Sequence, residues 1–390
     1  MTYDRRDFLK TMCAGGVATF GAPIVRFAQV PEPGNLVFVL LRGGFDGLGA
    51  VVPVDDPSYA SLRKSMAYEA ADLTTLDQGF ALAPGLNALH DFWNRGELAV
   101  VHAMAIPYRT RSHFDGQAIL ETGLRQPDGS ASGWMNRLLQ VMEGERSGIA
   151  VAAGMPRSMD GPHQVATWSP AQLGAVDDDY LERLHHLYRS DEALYNRFEA
   201  AVQLKEAGND DGMVGPNRGA QNQAQRILGA AARLLKSSTG PNVAAVEFSG
   251  WDTHANQGMA GGPLDRNLER LALGLTTFRE EMGESWSRTT VIVMTEFGRT
   301  ARPNGTRGTD HGTAGAGFIL GPKLRRSQVI ADWPGLKDRE LFEGRDLRPT
   351  LDTRAVLKGV IAGTFDLTGP QVERVFPGSA DTRGLYELIG

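Results

Sequence analysis

The sequence is almost without cysteine, Cys13 being the only one in 390 residues. A lone thiol builds neither an intrachain disulfide nor a cysteine-ligated zinc or iron–sulfur site, so any metal must be held by histidine, carboxylate and hydroxyl groups. An excess of basic charge is missing too. Lys and Arg number 40 against 46 Asp and Glu, a formal net charge of -6, which leaves no electrostatic footprint for nucleic acid. Beyond the N-terminus no apolar run approaches the roughly 18 residues that a membrane span needs, and neither an internal repeat nor a low-complexity tract is visible. What remains is ordinary globular composition, 42% hydrophobic and 22% charged, long enough for one large domain.

The first residues have the pattern of an export signal. DRRDFLK at residues 4–10 precedes a weakly apolar run from Thr11 to Val25, and a charged start before a short apolar stretch marks a secretory signal. The paired arginines resemble a twin-arginine signal in particular. The expectation is a signal segment over residues 1–30, handled by the twin-arginine export machinery, and a periplasmic or secreted protein. A single domain is expected over 34–390. That export route carries folded chains, which suits a protein loaded with a cofactor beforehand.

Short apolar runs alternate with longer helical patterns. Strands are expected over Leu36–Leu41, Leu98–Ala103, Gly148–Ala152, Val243–Phe248, Thr290–Met294 and Gly317–Leu320, most of them without the polar alternation of a half-exposed strand. Helical patterns cover Trp134–Met142, Tyr180–Lys205, Gln223–Ser237 and Leu264–Met282. Residues 207–222 have the composition of a surface loop. The alternation predicts an α/β fold with a mostly parallel central sheet covered by helices on both faces.

In such sheets ligands bind beyond the carboxyl ends of the strands, and that rule selects among the polar residues. Asp46 follows the first strand, His102 ends the second, and Arg109, Arg111, Ser112 and His113 come soon after it. Asp252 and His254 follow the fourth strand, Glu296 and Arg299 the fifth, and His311 precedes the sixth. Histidine nitrogen mixed with carboxylate oxygen favours zinc, manganese or iron over calcium. Asp252, His254 and His311 make a three-ligand set with an open position. Asp46 and Glu296, helped by Ser112, make a candidate second site. Two ions about 3.5–4 Å apart clamp the attacking and leaving oxygens of an in-line displacement.

In sequence order these motifs are GGFDGL, RSHFDGQ, WDTHANQ, TEFGRT and TDHGTAG, with the tail DLRPTLDTRAVL. Together they resemble the DUF1501 family of exported bacterial proteins, within the alkaline phosphatase and sulfatase superfamily, over roughly residues 34–380. The resemblance implies an alkaline phosphatase-like fold, one or two divalent ions (zinc or manganese), and a small-molecule or polymer ester as substrate. It also implies metal ligands at Asp46, Asp252, His254, Glu296 and His311, a nucleophile at Ser112, and Arg111 and Arg299 near the transferred group. The chain departs from the superfamily pattern in two places. Asp252 and His254 are spaced i, i+2 rather than i, i+4, and Phe297 stands where a histidine ligand is usual, with His113 or Asp310 as possible substitutes.

Plainer readings compete at each position. Asp252 is a potential helix cap, and Ser112 starts a stretch with capping-box spacing. Asp46 suits a glycine turn, Glu296 a surface ion pair with Arg299, and His311 a polar turn. The leading expectation is an exported metal-dependent hydrolase of phosphate or sulfate esters. The alternatives are a non-catalytic metal- or ligand-binding protein on the same fold and a phosphotransferase.

Overall fold

Strand β1, Asn35–Leu41, is buried along its whole length, which its unbroken apolar sequence requires. Leu36, Phe38 and Leu40 point into one core, and Val37, Val39 and Leu41 into another, so both faces of this strand are covered. The computed structural model describes residues 34–142, 147–169, 222–237 and 240–390, with Tyr188, Tyr195 and Glu199 besides. The expected signal segment over 1–30, most of the helix expected over Tyr180–Lys205, and the loop-like stretch up to 221 lie outside the described residues.

The other strands are β2 Val51–Pro53, β3 Thr74–Thr75, β4 Phe80–Leu82, β5 Leu98–Ala105, β6 Gly148–Val151, β7 Ala166–Trp168, β8 Val243–Phe248, β9 Thr289–Met294, β10 Gly315–Leu320, β11 Gln328–Ile330 and β12 Leu351–Asp352. The large sheet runs β11-β5-β10-β9-β1-β8-β6-β7, with β12 beside β5. Its pairs are parallel except at β10, which is antiparallel to both β5 and β9. A small antiparallel sheet, β2-β4-β3, accompanies it.

Helices cover both faces of the large sheet. They are α1 His113–Thr122, α2 Trp134–Val141, α3 Gln223–Lys236, α4 Pro263–Met282, α5 Thr353–Phe365 and α6 Gly369–Val375. α3 and α4 bury Leu228, Leu264, Leu268 and Leu271 against one face, while α2, α5 and α6 bury Trp134, Leu138, Val356 and Val372 against the other. Each such side chain contributes about 1.5–3 kcal/mol through removal from water. α3 starts at a reciprocal cap, Asn222 accepting from the Gln225 amide at 3.0 Å and Gln225 returning the bond at 3.1 Å. α4 starts with Pro263 in its first turn, where the missing N–H is of no consequence.

The expected α/β class and all six expected strands are present, with ends shifted by at most two residues. One shift moves a histidine. β5 continues to Ala105, so His102 lies inside the strand, buried between Phe80 and Trp333 at ring distances of 5.5 and 5.1 Å. Its Nε2 donates to the Val51 carbonyl at 3.1 Å and its Nδ1 accepts from the Ala103 amide at 2.8 Å. Burial holds its pKa down at about 4, and it takes no part in the rim.

Candidate metal centre

Backbone constraints bring five segments to one edge of the sheet. At the exit of β1, Gly43 and Gly44 have φ of +127° and +72°. A Cβ on Gly43 would lie 2.5 Å from the Asp252 amide nitrogen, and one on Gly44 2.6 Å from the Phe297 ring, so only glycine lets these segments meet. Trp251 is buried with its ring edge-on to Phe45, 5.5 Å away, and this anchors the following Asp252. After β9 the chain pairs with the approach to β10: Gly298 N–H to Thr313 O at 3.0 Å, Gly312 N–H to Gly298 O at 2.8 Å, and Thr300 N–H to Asp310 O at 2.9 Å. Because β10 is antiparallel, its beginning lies at the edge where the parallel strands end, and His311 comes with it. α1 supplies His113 in its first turn, just after its cap Ser112.

The side chains converge on a cluster. His311 Nε2 lies 2.9 Å from His113 Nε2 and 3.0 Å from His254 Nε2. The Asp252 carboxylate approaches all three rings, at 3.0 Å from His254, 3.3 Å from His311 and 3.5 Å from His113. His113, Asp252 and His311 each offer one ligand atom, and these atoms lie within 4.8 Å of one another. A tetrahedral ion with bonds of about 2.1 Å separates its donors by roughly 3.4 Å, close to these spacings.

The second nitrogen of each ring is already engaged. His113 Nδ1 meets Glu296 Oε1 at 2.7 Å, His254 Nδ1 meets Asp310 Oδ1 at 3.2 Å, and His311 Nδ1 meets the Arg111 carbonyl at 3.0 Å. All three partners only accept and so favour a proton on Nδ1, while the Asp252 carboxylate, also only an acceptor, competes for it at the Nε2 atoms. With the proton on Nδ1, a neutral ring presents its Nε2 lone pair toward its neighbours. Lone pairs facing each other at 2.9–3.0 Å repel unless a cation or an added proton lies between them. Orienting acceptors behind imidazoles are the usual support of a metal-ligating histidine, and the donor set fits a zinc-type ion.

Electrostatics divide the cluster. The hydrogen bond His113 donates to Glu296, and the charge of that carboxylate, raise the His113 pKa against burial. Burial, with the His113 charge behind it, lowers that of His311. Burial pushes the Asp252 carboxyl up, but the Arg299 hydrogen bond and charge outweigh it and the net shift is downward. Between these two rings an added proton therefore favours His113. Phe297, buried, lies tilted against His113 and His311 with ring centroids 4.8 and 5.1 Å away, an apolar wall for both rings.

The residues singled out in the sequence have different surroundings. Asp252, His254 and His311 meet, and His113 joins them. The sequence marks His113 only as one of two candidate substitutes for the histidine missing at Phe297, because the partner that orients it is 183 positions away. Glu296 is fully buried; its Oε1 accepts from the Gly43 amide, His113 and Gln117 Nε2 at 2.9, 2.7 and 3.0 Å, and its Oε2 accepts from the Thr295 hydroxyl at 2.9 Å. Asp46 is buried, its Oδ2 held by Arg63 and by Gln257 Nε2 and its Oδ1 by the Gly49 amide. Ser112 Oγ accepts from the Asp115 amide at 3.4 Å as the cap of α1. Arg299 is buried and donates to Asp252, Gly43 O and Thr309. Arg111 pairs with Asp346 and Glu343. Arg345, unmarked in the sequence, donates to the His311 carbonyl at 2.9 Å and approaches the buried Asp346 at 3.3 Å. No helix follows Asp252 closely enough for it to be a cap.

The model of the family described as "Protein of unknown function (DUF1501)" matches residues 93–376. No curated protein sequence matches the chain. Among solved structures, the zinc complex of the C-terminal periplasmic domain of EcEptC from Escherichia coli is 13% identical, with 74% of this chain and 73% of that chain covered and a TM-score of 0.37. The PsFucS1 sulfatase from Pseudoalteromonas sp. is 12% identical, with coverage of 92% and 69% and a TM-score of 0.37. A Bacteroides thetaiotaomicron protein from a locus for glycosaminoglycan metabolism is 9% identical, with coverage of 91% and 76% and a TM-score of 0.44.

Proposed function

We propose, taking as premise that the chain belongs to the DUF1501 family, that it is an exported, metal-dependent hydrolase of phosphate or sulfate esters, of the alkaline phosphatase-like type. The observation that carries this reading is the convergence of three imidazole Nε2 atoms beside an aspartate, each ring oriented by an acceptor at Nδ1. His113, His311 and Asp252 would hold a divalent ion of the zinc or manganese type, with His254 beside them. Such an ion supplies Lewis acidity, lowering the pKa of a hydroxyl and drawing charge from an ester oxygen.

The chain's own residues do the rest. Glu296, Asp310 and the Arg111 carbonyl keep the imidazoles turned inward. Arg299 holds Asp252 ionised. Arg345, anchored on the buried Asp346 and holding the His311 carbonyl, offers a cation to an anionic ester, while Arg111, its guanidinium held by Asp346 and Glu343, orients His311 through its carbonyl. Ser112 is the candidate nucleophile. Its Oγ caps α1 and its hydroxyl is hydrogen-bonded to Tyr108, while the helix N-terminus favours the negative charge left when its proton is given up.

Export rests on the N-terminal DRRDFLK pattern. Among the described residues no helix is long and apolar enough to cross a membrane.

The test is hydrolysis of aryl phosphate and aryl sulfate esters by purified protein given zinc or manganese. Activity should vanish on chelation and in the His113→Ala/His311→Ala double variant. Ser112→Ala should lower kcat at least about 100-fold, as removal of a nucleophile does. Absence of turnover with every metal and ester, or turnover indifferent to the double variant, would overturn the proposal.

A further inference from the structure

A two-ion centre needs carboxylates whose oxygens are free to turn toward both ions. The two acidic residues placed to hold a second ion, Asp46 and Glu296, are both fully committed. Asp46, 1% exposed, gives Oδ2 to Arg63 and to Gln257 Nε2 at 2.5 Å, and Oδ1 to the Gly49 amide at 3.2 Å. Arg63 is as deeply buried as its partner. Glu296 has three donors on one oxygen and one on the other. A third group completes the picture. The buried guanidinium of Arg299 lies between the Gly43 carbonyl, at 3.2 Å, and Asp252 Oδ1, at 2.6 Å, bridging the exit of β1, where Asp46 follows, and the imidazole cluster.

We propose that the centre binds one divalent ion and not two, the guanidinium groups of Arg63 and Arg299 supplying, as fixed parts of the chain, the positive charge a second ion would bring. The inference rests on the metal-dependent reading above and narrows it. For Asp46 to take an ion it must release Arg63, and a guanidinium left in the interior without a counter-charge is among the most unfavourable arrangements a protein can hold. Any ion beside Asp252 on the Gly43 side would in addition face Arg299. Neither guanidinium can leave by diffusion, so this charge is present whatever the metal supply. The ligand side differs: its three Nε2 atoms already converge and its aspartate is 42% exposed, so an ion from solvent reaches it directly.

Metal-free full-length protein is reconstituted with zinc, freed of excess ion, and its bound zinc counted by native mass spectrometry and elemental analysis. X-ray absorption at the zinc edge reports the neighbours. The expected result is one ion per chain, an imidazole-rich shell, and no metal–metal distance near 3.5–4 Å. His113→Ala should lower zinc affinity at least about 100-fold, more than loss of an orienting partner does, while Asp46→Asn should leave the count at one. Two ions per chain, or a metal–metal distance in the wild-type protein, overturns the inference and leaves the hydrolase reading standing. No bound ion overturns the metal reading itself and the inference with it. Should Asp46→Asn fail to fold, the wild-type count and absorption spectrum still decide.

Discussion

Asp46 and Asp252 occupy equivalent places, each just past the end of a central strand, β1 and β8, that pair with each other in parallel. Their surroundings differ sharply. Asp46 is sealed in with Arg63, Gln257 and a backbone amide. Asp252 stands at the surface among three imidazoles, with only Arg299 as a permanent partner. A carboxylate whose counter-charge is built into the chain is a structural element, while one facing three converging imidazole nitrogens is a place for an exchangeable cation. Position at a strand end selects both, and the counter-charge separates them.

The comparison breaks most visibly at its buried half. Arg63→Ala leaves Asp46 without its partner and should cost about 3–5 kcal/mol of stability, read as a lower urea midpoint, with zinc binding by the folded protein unchanged. A loss below 1 kcal/mol, or lost zinc binding in folded protein, would mean that the pair does not have the role assigned to it.

A buried histidine sharpens the contrast with the exposed three. Folded His102 is held near pKa 4 by burial, against 6.5 ordinarily. Between those values the unfolded chain binds the extra proton, so stability rises with pH across that window, is fully present above 6.5, and is lost as pH falls toward 4. The expected amount is on the order of 3 kcal/mol. His102→Gln should flatten the stability profile over that range, and an unchanged slope would assign the acid sensitivity elsewhere.

Smaller effects belong to the groups that orient the ligands. Glu296→Gln keeps the shape behind His113 but removes the charge, and zinc affinity should fall about 10–100-fold, measured by competition with a chromogenic chelator. Asp310→Asn should do less, below about 10-fold, since Asp310 and His254 are both about half exposed and water competes for the contact. Equal losses would mean that burial does not set the strength of these supports.

Much of the framework is legible in the chain. The six central strands stand out because strands covered on both faces are unbroken apolar runs, and α3 and α4 because their apolar residues recur at helical spacing. The three-residue β2 and β4 are too short to show a period. α5 is buried along most of its length, including Arg354 and Lys358, so no polar face marks it. At the site, WDTHANQ and TDHGTAG announce their histidines, whereas the role of His113 depends on Glu296 and that of Asp46 on Arg63. Neither partner is signalled by spacing.

By its own local rules the sequence determined the six central strands, α3 and α4, the glycine exit of β1 and the polar segments at the rim, because burial pattern and backbone freedom are properties of neighbouring residues. Only the tertiary structure decided which polar groups meet. The reversed direction of β10 turns the start of that strand, and His311 with it, toward the ends of the others. The contacts that orient His311 and neutralise Asp252 join residues 200 and 47 positions apart. Charge pairing acts through space at a few ångströms, so its outcome is set by the packed chain and not by the order of residues along it.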